Sequence, residues 1–132
     1  MNGLTKISFT QEGKEIPMLR TIMNKFLILH DVRGVMVIRQ NGEIIEGIKS
    51  GIDYDDRFRT AVSALMVGSK ATADDFANSP AFMVFMEFSD YFFLLAPLKE
   101  EFFFLVIAQN TANIGQINQA MKKNREDLVA LL

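Results

Sequence analysis

The sequence predicts an α+β domain in which one sheet is covered by helices on both faces. The first observation is the apolar run at residues 102–108, which does not alternate with polar residues and is rich in aromatic and β-branched side chains. A strand with one solvated face would alternate, so this strand is expected to be buried on both sides, near the middle of the sheet. The second observation is the helical spacing of the apolar residues that follow, which are Ile114, Ile117, Met121, Leu128 and Leu131. A buried strand therefore leads into an amphipathic helix that can cover one face, and the rest of the chain has to cover the other.

Length and composition describe one globular domain. With 132 residues, 49% of them hydrophobic and 23% charged, the chain can bury a single sizeable core. The formal net charge of −2 provides no basic surface for nucleic acid, and the lack of cysteine excludes a disulfide framework and a thiol nucleophile. The N-terminus has no apolar run of signal-peptide length, and runs of about eight apolar residues are far shorter than the roughly 20 that cross a bilayer. A cytoplasmic protein without membrane insertion is expected.

The first 15 residues are expected to form a polar arm in front of a domain at residues 16–132. Leu4, Ile7 and Phe9 are apolar residues of the arm that could form a short edge strand. Because few residues of the arm can reach a core, its removal is expected to cost little stability.

The first helix is predicted at residues 16–30, with Pro17 in its first turn. Gly34 is expected in the connection after this helix. The apolar face of the helix is predicted to contain Leu19, Ile22, Met23, Phe26, Leu27 and His30.

A β-hairpin follows, with strands at residues 35–39 and 43–48. The dipeptide Asn41-Gly42 between them is a strong signal for a tight hairpin turn. Asp53, Asp55 and Asp56 then precede or enter a long helix predicted at residues 54–77, where carboxylates stabilise the helix N-terminus.

The second half of the chain contains three more strands and the last helix. The strands are predicted at residues 81–88, 91–96 and 102–108, after the helix-breaking segment around Pro80. Tight turns join these strands, so they are expected to pair in an antiparallel manner. The predicted order of elements is α-β-β-α-β-β-β-α.

The chain from residue 17 to residue 132 resembles the Roadblock domain, a family that includes the Roadblock light chain of dynein and bacterial partners of small Ras-like GTPases. The resemblance implies a five-stranded antiparallel sheet, with the long second helix on one face and the first and third helices on the other, a Roadblock/profilin-like arrangement. The arm at residues 1–15 lies outside the family core. The segments that carry the resemblance are Gly34-Val35-Met36-Val37-Ile38, Asn41-Gly42-Glu43-Ile44-Ile45, Tyr91-Phe92-Phe93-Leu94-Leu95-Ala96-Pro97, Asn113-Ile114-Gly115 and residues 128–132.

No catalytic or metal-binding motif stands out in the sequence. His30 and Asp31 could form an acid–base pair, but no second histidine or activated nucleophile accompanies them, so a histidine near a helix C-terminus is favoured. The aspartates of residues 53–56 lack the glycine and the distal glutamate of a calcium loop, and helix capping is the favoured interpretation. No glycine-rich phosphate-binding loop follows a strand. We expect no enzyme activity and no cofactor.

The second helix carries a stripe of small residues, namely Ala61, Ala64, Gly68 and Ala71. One interpretation is tight packing of this stripe on the domain's own sheet, and the other is close approach of a second copy. A larger apolar stripe, consisting of Phe58, Val62, Leu65, Met66 and Phe76, is expected to face the sheet.

Self-association is the favoured interpretation of the small stripe. In the Roadblock family, the resemblance implies, this helix pairs with the same helix of a second copy and the third strands join edge to edge. Joining would also protect the long apolar edge strand at residues 81–88 from aggregation. The predicted dimer interface consists of Ala61, Ala64, Leu65, Gly68, Ala71, Phe82, Val84 and Met86.

Two functions remain open at this level. The first is a non-catalytic homodimeric adaptor or regulator, similar to Roadblock proteins that bind a Ras-like GTPase or act as assembly platforms. The second is a small-ligand sensor in which some of the 12 phenylalanines line a pocket between sheet and helix, although close packing in the core is the commoner use of such residues.

Overall fold

A computed structural model describes residues 5–8, 16–79 and 81–132 of the chain. The helices are α1 (Ile16–Leu27), α2 (Asp56–Thr72) and α3 (Ile114–Ala130), and a π-helical turn, Ala73–Ala77, extends α2. The strands are β1 (Thr5–Ser8), β2 (Val32–Arg39), β3 (Ile44–Lys49), β4 (Val84–Glu87), β5 (Tyr91–Pro97) and β6 (Phe102–Gln109).

The strands form one antiparallel sheet in the order β1-β3-β2-β6-β5-β4. The five-stranded antiparallel sheet that the sequence predicts is present as β2 to β6, and β1 adds an edge strand beside β3. This strand contains Ile7, one of the three residues of the predicted edge strand, whereas Leu4 and Phe9 lie outside the described residues. The boundary of the domain at residue 16 stays a prediction.

Each face of the sheet carries its own core. On one face, α1 and α3 pack with Val35, Val37 and Phe104 among the buried residues. On the other face, α2 packs through Val62 and Met66. The predicted distribution of helices is therefore confirmed, and β6 is buried on both sides because its successive side chains enter the two cores in turn.

The loop between α1 and β2 differs from the prediction. α1 ends at Leu27, so His30 lies beyond the helix, and it is exposed instead of contributing to the apolar helical face. β2 begins at Val32, which places Gly34 inside the strand and not in the connection. A glycine is needed at this position because a Cβ atom at Gly34 would lie only 2.3 Å from the hydroxyl oxygen of Tyr54. Glycine is thus required by a close approach of a side chain, which the local sequence does not reveal.

The π-helical turn at the end of α2 changes the position of Phe76. The sequence placed Phe76 on the sheet-facing stripe, but its side chain is 89% exposed. A π turn has i→i+5 hydrogen bonds and is wider than an α-helical turn, so each residue advances by a smaller angle around the axis. Phe76 therefore rotates away from the stripe that Val62, Met66 and Ala73 bury against the sheet.

Candidate functional site

The histidine and the aspartates that the sequence singled out lie in surface turns and at a helix cap. His30 is exposed, and its Nε2 atom lies 2.9 Å from Oδ2 of Asp31, which also accepts a hydrogen bond from the hydroxyl of Thr111. Asp55 caps α2 by accepting a hydrogen bond of 2.9 Å from the backbone N–H of Phe58. Across residues 5–8, 16–79 and 81–132, no cluster of three or more histidine, aspartate or glutamate side chains could hold a metal ion.

The small stripe of α2 faces solvent. Ala61, Ala64, Gly68 and Ala71 are all exposed, and no atom lies within 4 Å of a Cβ built on Gly68. The interpretation that this stripe packs on the domain's own sheet is therefore wrong. The helix presents its small residues outward, where the backbone of a second helix could approach closely.

The strand β4 lies at the edge of the sheet next to α2 and is rich in exposed apolar side chains. Only β5 pairs with β4 among the described strands, so its other edge carries unpaired backbone groups. Met86 is 38% exposed, Phe85 is 45% exposed and Phe88 is 44% exposed. Open edges of this composition promote association, and soluble proteins usually cover or charge them.

A groove of about 530 Å³ separates the exposed side of α2 from β4. It brings together four of the predicted interface residues, which are Ala64, Leu65, Gly68 and Val84. Leu65 and Val84 are half-buried and pack against the core beneath α2, so they form the floor of the surface. Ala61, Ala71 and Met86 are exposed near the groove without lining it.

Phe82 lies apart from the other predicted interface residues. Its ring contacts the cations of α3, with the Lys122 Nζ atom 5.9 Å and the Arg125 Cζ atom 5.7 Å from the ring centroid. The strand begins only at Val84, so the alternation that would have placed Phe82 with Val84 and Met86 does not extend to it.

Sequence reasoning missed three aromatic residues that this surface exposes, namely Phe76, Phe85 and Phe88. Phe88 also borders a second cavity of about 350 Å³ near the beginning of α2. The rings of Phe88 and Phe58 both meet Phe93 edge-to-face, at centroid distances of 5.1 Å and 6.1 Å. We call this space the aromatic cavity; it is lined by Gly51, Ile52, Phe58, Phe88, Tyr91, Phe93 and Ile107. The high aromatic content of residues 82–93 was the available signal, but it does not show which rings remain uncovered.

The family model of the Roadblock/LC7 domain matches residues 18–108, well over half of the chain. The protein belongs to the Roadblock/LC7 family. The match extends from α1 through the strands β2 to β6, so it includes both α2 and the open edge strand β4, whereas β1 and α3 lie outside it. The sequence resemblance to Roadblock proteins is confirmed.

Solved structures with the same fold include Roadblock-type bacterial proteins. MglB of Myxococcus xanthus has a TM-score of 0.78 at 14% identity, covering 89% of this Roadblock/LC7 protein and 96% of MglB. A structure described as MglB with a tetrameric arrangement has a TM-score of 0.76 at 11% identity, with coverage of 96% and 94%. MglC of Myxococcus xanthus has a TM-score of 0.64 at 9% identity, with coverage of 89% and 99%. At these identities the similarity shows a shared fold.

Two further findings concern sequence relatives and membrane-spanning helices. No curated protein matches the sequence of this Roadblock/LC7 protein. In the described part of the chain, none of the helices combines the length and the apolar character needed to cross a membrane.

Proposed function

We propose that this Roadblock/LC7 protein is a non-catalytic homodimeric adaptor or regulator that binds a small Ras-like GTPase. The observation that carries the proposal is the continuous surface formed by the outward stripe of α2, the adjoining groove and the open edge of β4. These features lie side by side on one flank of the domain, and all of them lack a covering partner within the described residues.

Dimerisation explains the open strand edge. In the proposed dimer, β4 pairs with β4 of a second copy, so the two sheets become continuous and the unpaired backbone groups are satisfied. The exposed Met86 and Phe85 side chains then lie at a protein–protein contact, where apolar side chains are favourable. The small residues of α2 let the two α2 helices approach closely above the joined sheet.

Membership of the Roadblock/LC7 family supports the choice of a Ras-like GTPase as partner, because the family includes bacterial proteins that bind such enzymes. The similar folds of MglB and MglC are compatible with this choice. In the described part of the chain, no glycine-rich phosphate-binding loop follows a strand. In the proposed mechanism the paired α2 helices form a composite surface, and the GTPase supplies the groups that act on the nucleotide.

Two measurements test the proposed function. Sedimentation velocity at micromolar concentration is expected to show a dimer. Affinity capture from the native cell with the tagged wild-type protein, followed by mass spectrometry, is expected to recover a small GTPase, and added GTP analogue or GDP should change the amount recovered. The control bait is Gly68→Arg, which should be monomeric. A GTPase recovered equally by both baits would show that the composite surface is not used, and a monomeric wild type would exclude the homodimer.

A further inference from the structure

The aromatic cavity presents four aromatic rings to one small space. Phe58 comes from α2, and Phe88, Tyr91 and Phe93 come from the hairpin of β4 and β5. Phe88 and Tyr91 are each 44% exposed, and Phe58 and Phe93 are only partly buried against the core. The rings therefore remain accessible to a ligand, in a space of about 350 Å³ that lies within the size range of small-molecule sites.

The rings that line this cavity lie in different planes. The plane of Phe93 makes an angle of 73° with the plane of Phe88 and of 69° with the plane of Phe58. A cation is attracted to the electron-rich face of an aromatic ring, so rings in several planes around one space suit a compact cation. This is the arrangement of an aromatic cage, the kind of site that recognises quaternary ammonium groups.

Hydrogen bonds and ring stacking hold the walls of the cavity in place. Asn110 donates two hydrogen bonds, of 3.0 Å from its backbone N–H and 2.8 Å from its side-chain amide, to the carbonyl groups of the hairpin turn at residues 89–90. On the other side, the ring of Phe58 stacks on the ring of Tyr54 at a centroid distance of 5.1 Å. Because both walls are ordered in advance, a ligand that binds between them loses little affinity to the ordering of side chains.

Carboxylates are concentrated in the segments that border the cavity. Residues 51–56, which begin with two lining residues, contain three aspartates and no basic residue, and the hairpin turn adds the exposed Asp90. The basic residues nearest in sequence are Arg57 and Arg59, and Arg59 already pairs with Asp56. In the described part of the chain, no lysine or arginine lines the cavity. The aspartates also offset the positive end of the α2 dipole, so the local charge favours a cationic ligand.

We propose that the aromatic cavity binds a small ligand through a quaternary ammonium group, which the rings of Phe58, Phe88 and Phe93 surround. An unmethylated ammonium has N–H donors that need acceptors, whereas a quaternary ammonium has none. Within the described residues, the Tyr91 hydroxyl is the only polar side-chain group of the lining, so it favours the cation without donors. The inference goes beyond the proposed function, because this cavity shares no lining residue with the groove beside Gly68.

Choline and its neutral isostere test the need for a positive charge. The isostere is the alcohol in which a carbon atom replaces the nitrogen of choline, so the two probes have the same shape. NMR titration of the full chain, followed at the backbone amides of Gly51 and Phe88, measures a dissociation constant for each probe. Choline is expected to bind about 5-fold or more tightly than the alcohol. Equal affinities, or no binding of choline at any soluble concentration, would overturn the proposal.

The variant Phe88→Ala removes one wall of the cavity, and Phe85→Ala is its matched control. Phe85 is 45% exposed, close to the exposure of Phe88, but its ring contacts Phe92 of the other core at a centroid distance of 5.2 Å. Phe88→Ala is expected to weaken choline binding about 5-fold or more, whereas Phe85→Ala should leave it unchanged. Tyr91→Phe keeps the ring and should bind choline as the wild type does. Circular dichroism verifies that each variant is folded.

A second probe, the amide of N-acetylated trimethyllysine, identifies the source of the ammonium group. Tighter binding of choline supports a free small molecule, whereas tighter binding of the lysine derivative would overturn this choice in favour of a methylated side chain of another protein. A folded Phe88→Ala variant with the wild-type affinity for choline would show that the aromatic cavity is not the site. These outcomes are independent of the proposed function, since a monomeric wild type that binds choline would overturn the homodimer alone.

Discussion

The substitution Gly68→Arg tests the outward orientation of α2 and the dimer in one protein. In the monomer this change should be harmless, because Gly68 is exposed and no atom lies within 4 Å of a Cβ added there. Glycine in a helix interior costs about 1 kcal/mol relative to alanine, and arginine is nearly as favourable as alanine. The isolated domain should therefore gain up to about 1 kcal/mol, or roughly 2–6 °C in melting temperature for a domain of this size.

In the dimer the same substitution should be strongly unfavourable. Gly68 lines the groove beside β4 and would lie in the contact between the two α2 helices of the proposed dimer. An arginine there must either insert a charge into a close helix–helix contact or separate the helices. Either response should cost about 3 kcal/mol or more, which raises the dissociation constant by roughly 100-fold or more.

Light scattering after size-exclusion chromatography measures the oligomeric state, and circular dichroism measures helix content and melting temperature. The matched control is Val67→Arg, which introduces the same side chain at an exposed neighbouring position about 100° around the helix. We expect Gly68→Arg to be a folded monomer or a poorly soluble one that exposes β4, and Val67→Arg to remain dimeric. Gly68→Ala should stay folded, with slight crowding at the contact.

Two results would refute this reasoning. If Gly68→Arg unfolds the domain, the stripe must face the domain's own sheet, contrary to the structure. If the variant dimerises as tightly as the wild type at micromolar concentration, α2 does not pass close to a second copy at this residue.

Four further predictions concern stability and nucleotide binding. Gly34→Ala should destabilise the domain by about 2–4 kcal/mol in urea unfolding, because the added Cβ atom would displace the Tyr54 hydroxyl that donates to the Ile48 carbonyl at 3.0 Å. In a Tyr54→Phe background, the same substitution should cost at least about 1 kcal/mol less. Strictly additive effects of the two substitutions would contradict the proposed clash. Burial raises the pKa of Tyr54 above its ordinary value of 10.0. The contribution of the Tyr54 side chain to stability is therefore fully present below about pH 10 and is lost as the pH rises further. In the Tyr54→Phe variant, this decrease of the melting temperature at high pH should be absent. The sequence predicted that residues 1–15 are dispensable, but β1 pairs along β3 in the structure, so deleting them should instead lower the melting temperature by about 5 °C or more. An unchanged melting temperature would support the original prediction. The purified protein should neither bind nor hydrolyse GTP, and stoichiometric binding in calorimetry would contradict this.

Local signals in the sequence determined much of the fold. The alternation and apolar runs identified the strands β2 to β6, and Asn41-Gly42 located the first hairpin because its backbone requirements are met within a few residues. Asp55 caps α2 as expected, and Asn113 caps α3 in the same way, each accepting a hydrogen bond from a backbone N–H three residues later. Such features depend on neighbours in the chain, so they can be identified without the tertiary structure.

The candidate surface was predicted only in part. The outward stripe of α2 follows from the spacing of Ala61, Ala64, Gly68 and Ala71, but the spacing alone left open whether the sheet or a second copy faces it. The arrangement of α2 over the sheet decided this by covering Val62 and Met66 instead. The same arrangement, together with the π turn, left Phe76 uncovered.

Contacts between distant segments account for what sequence reasoning did not find. Glu46 is fully buried beneath α1, where Oε2 accepts a hydrogen bond of 2.9 Å from Nε of Arg20, a pairing across 26 residues that no local pattern indicates. Gly34 is likewise required by Tyr54, which another loop brings to it. Periodicity thus determined which side chains share a face, because that depends only on backbone geometry. Tertiary packing decided which faces are covered, because burial depends on the segments that arrive from elsewhere in the chain.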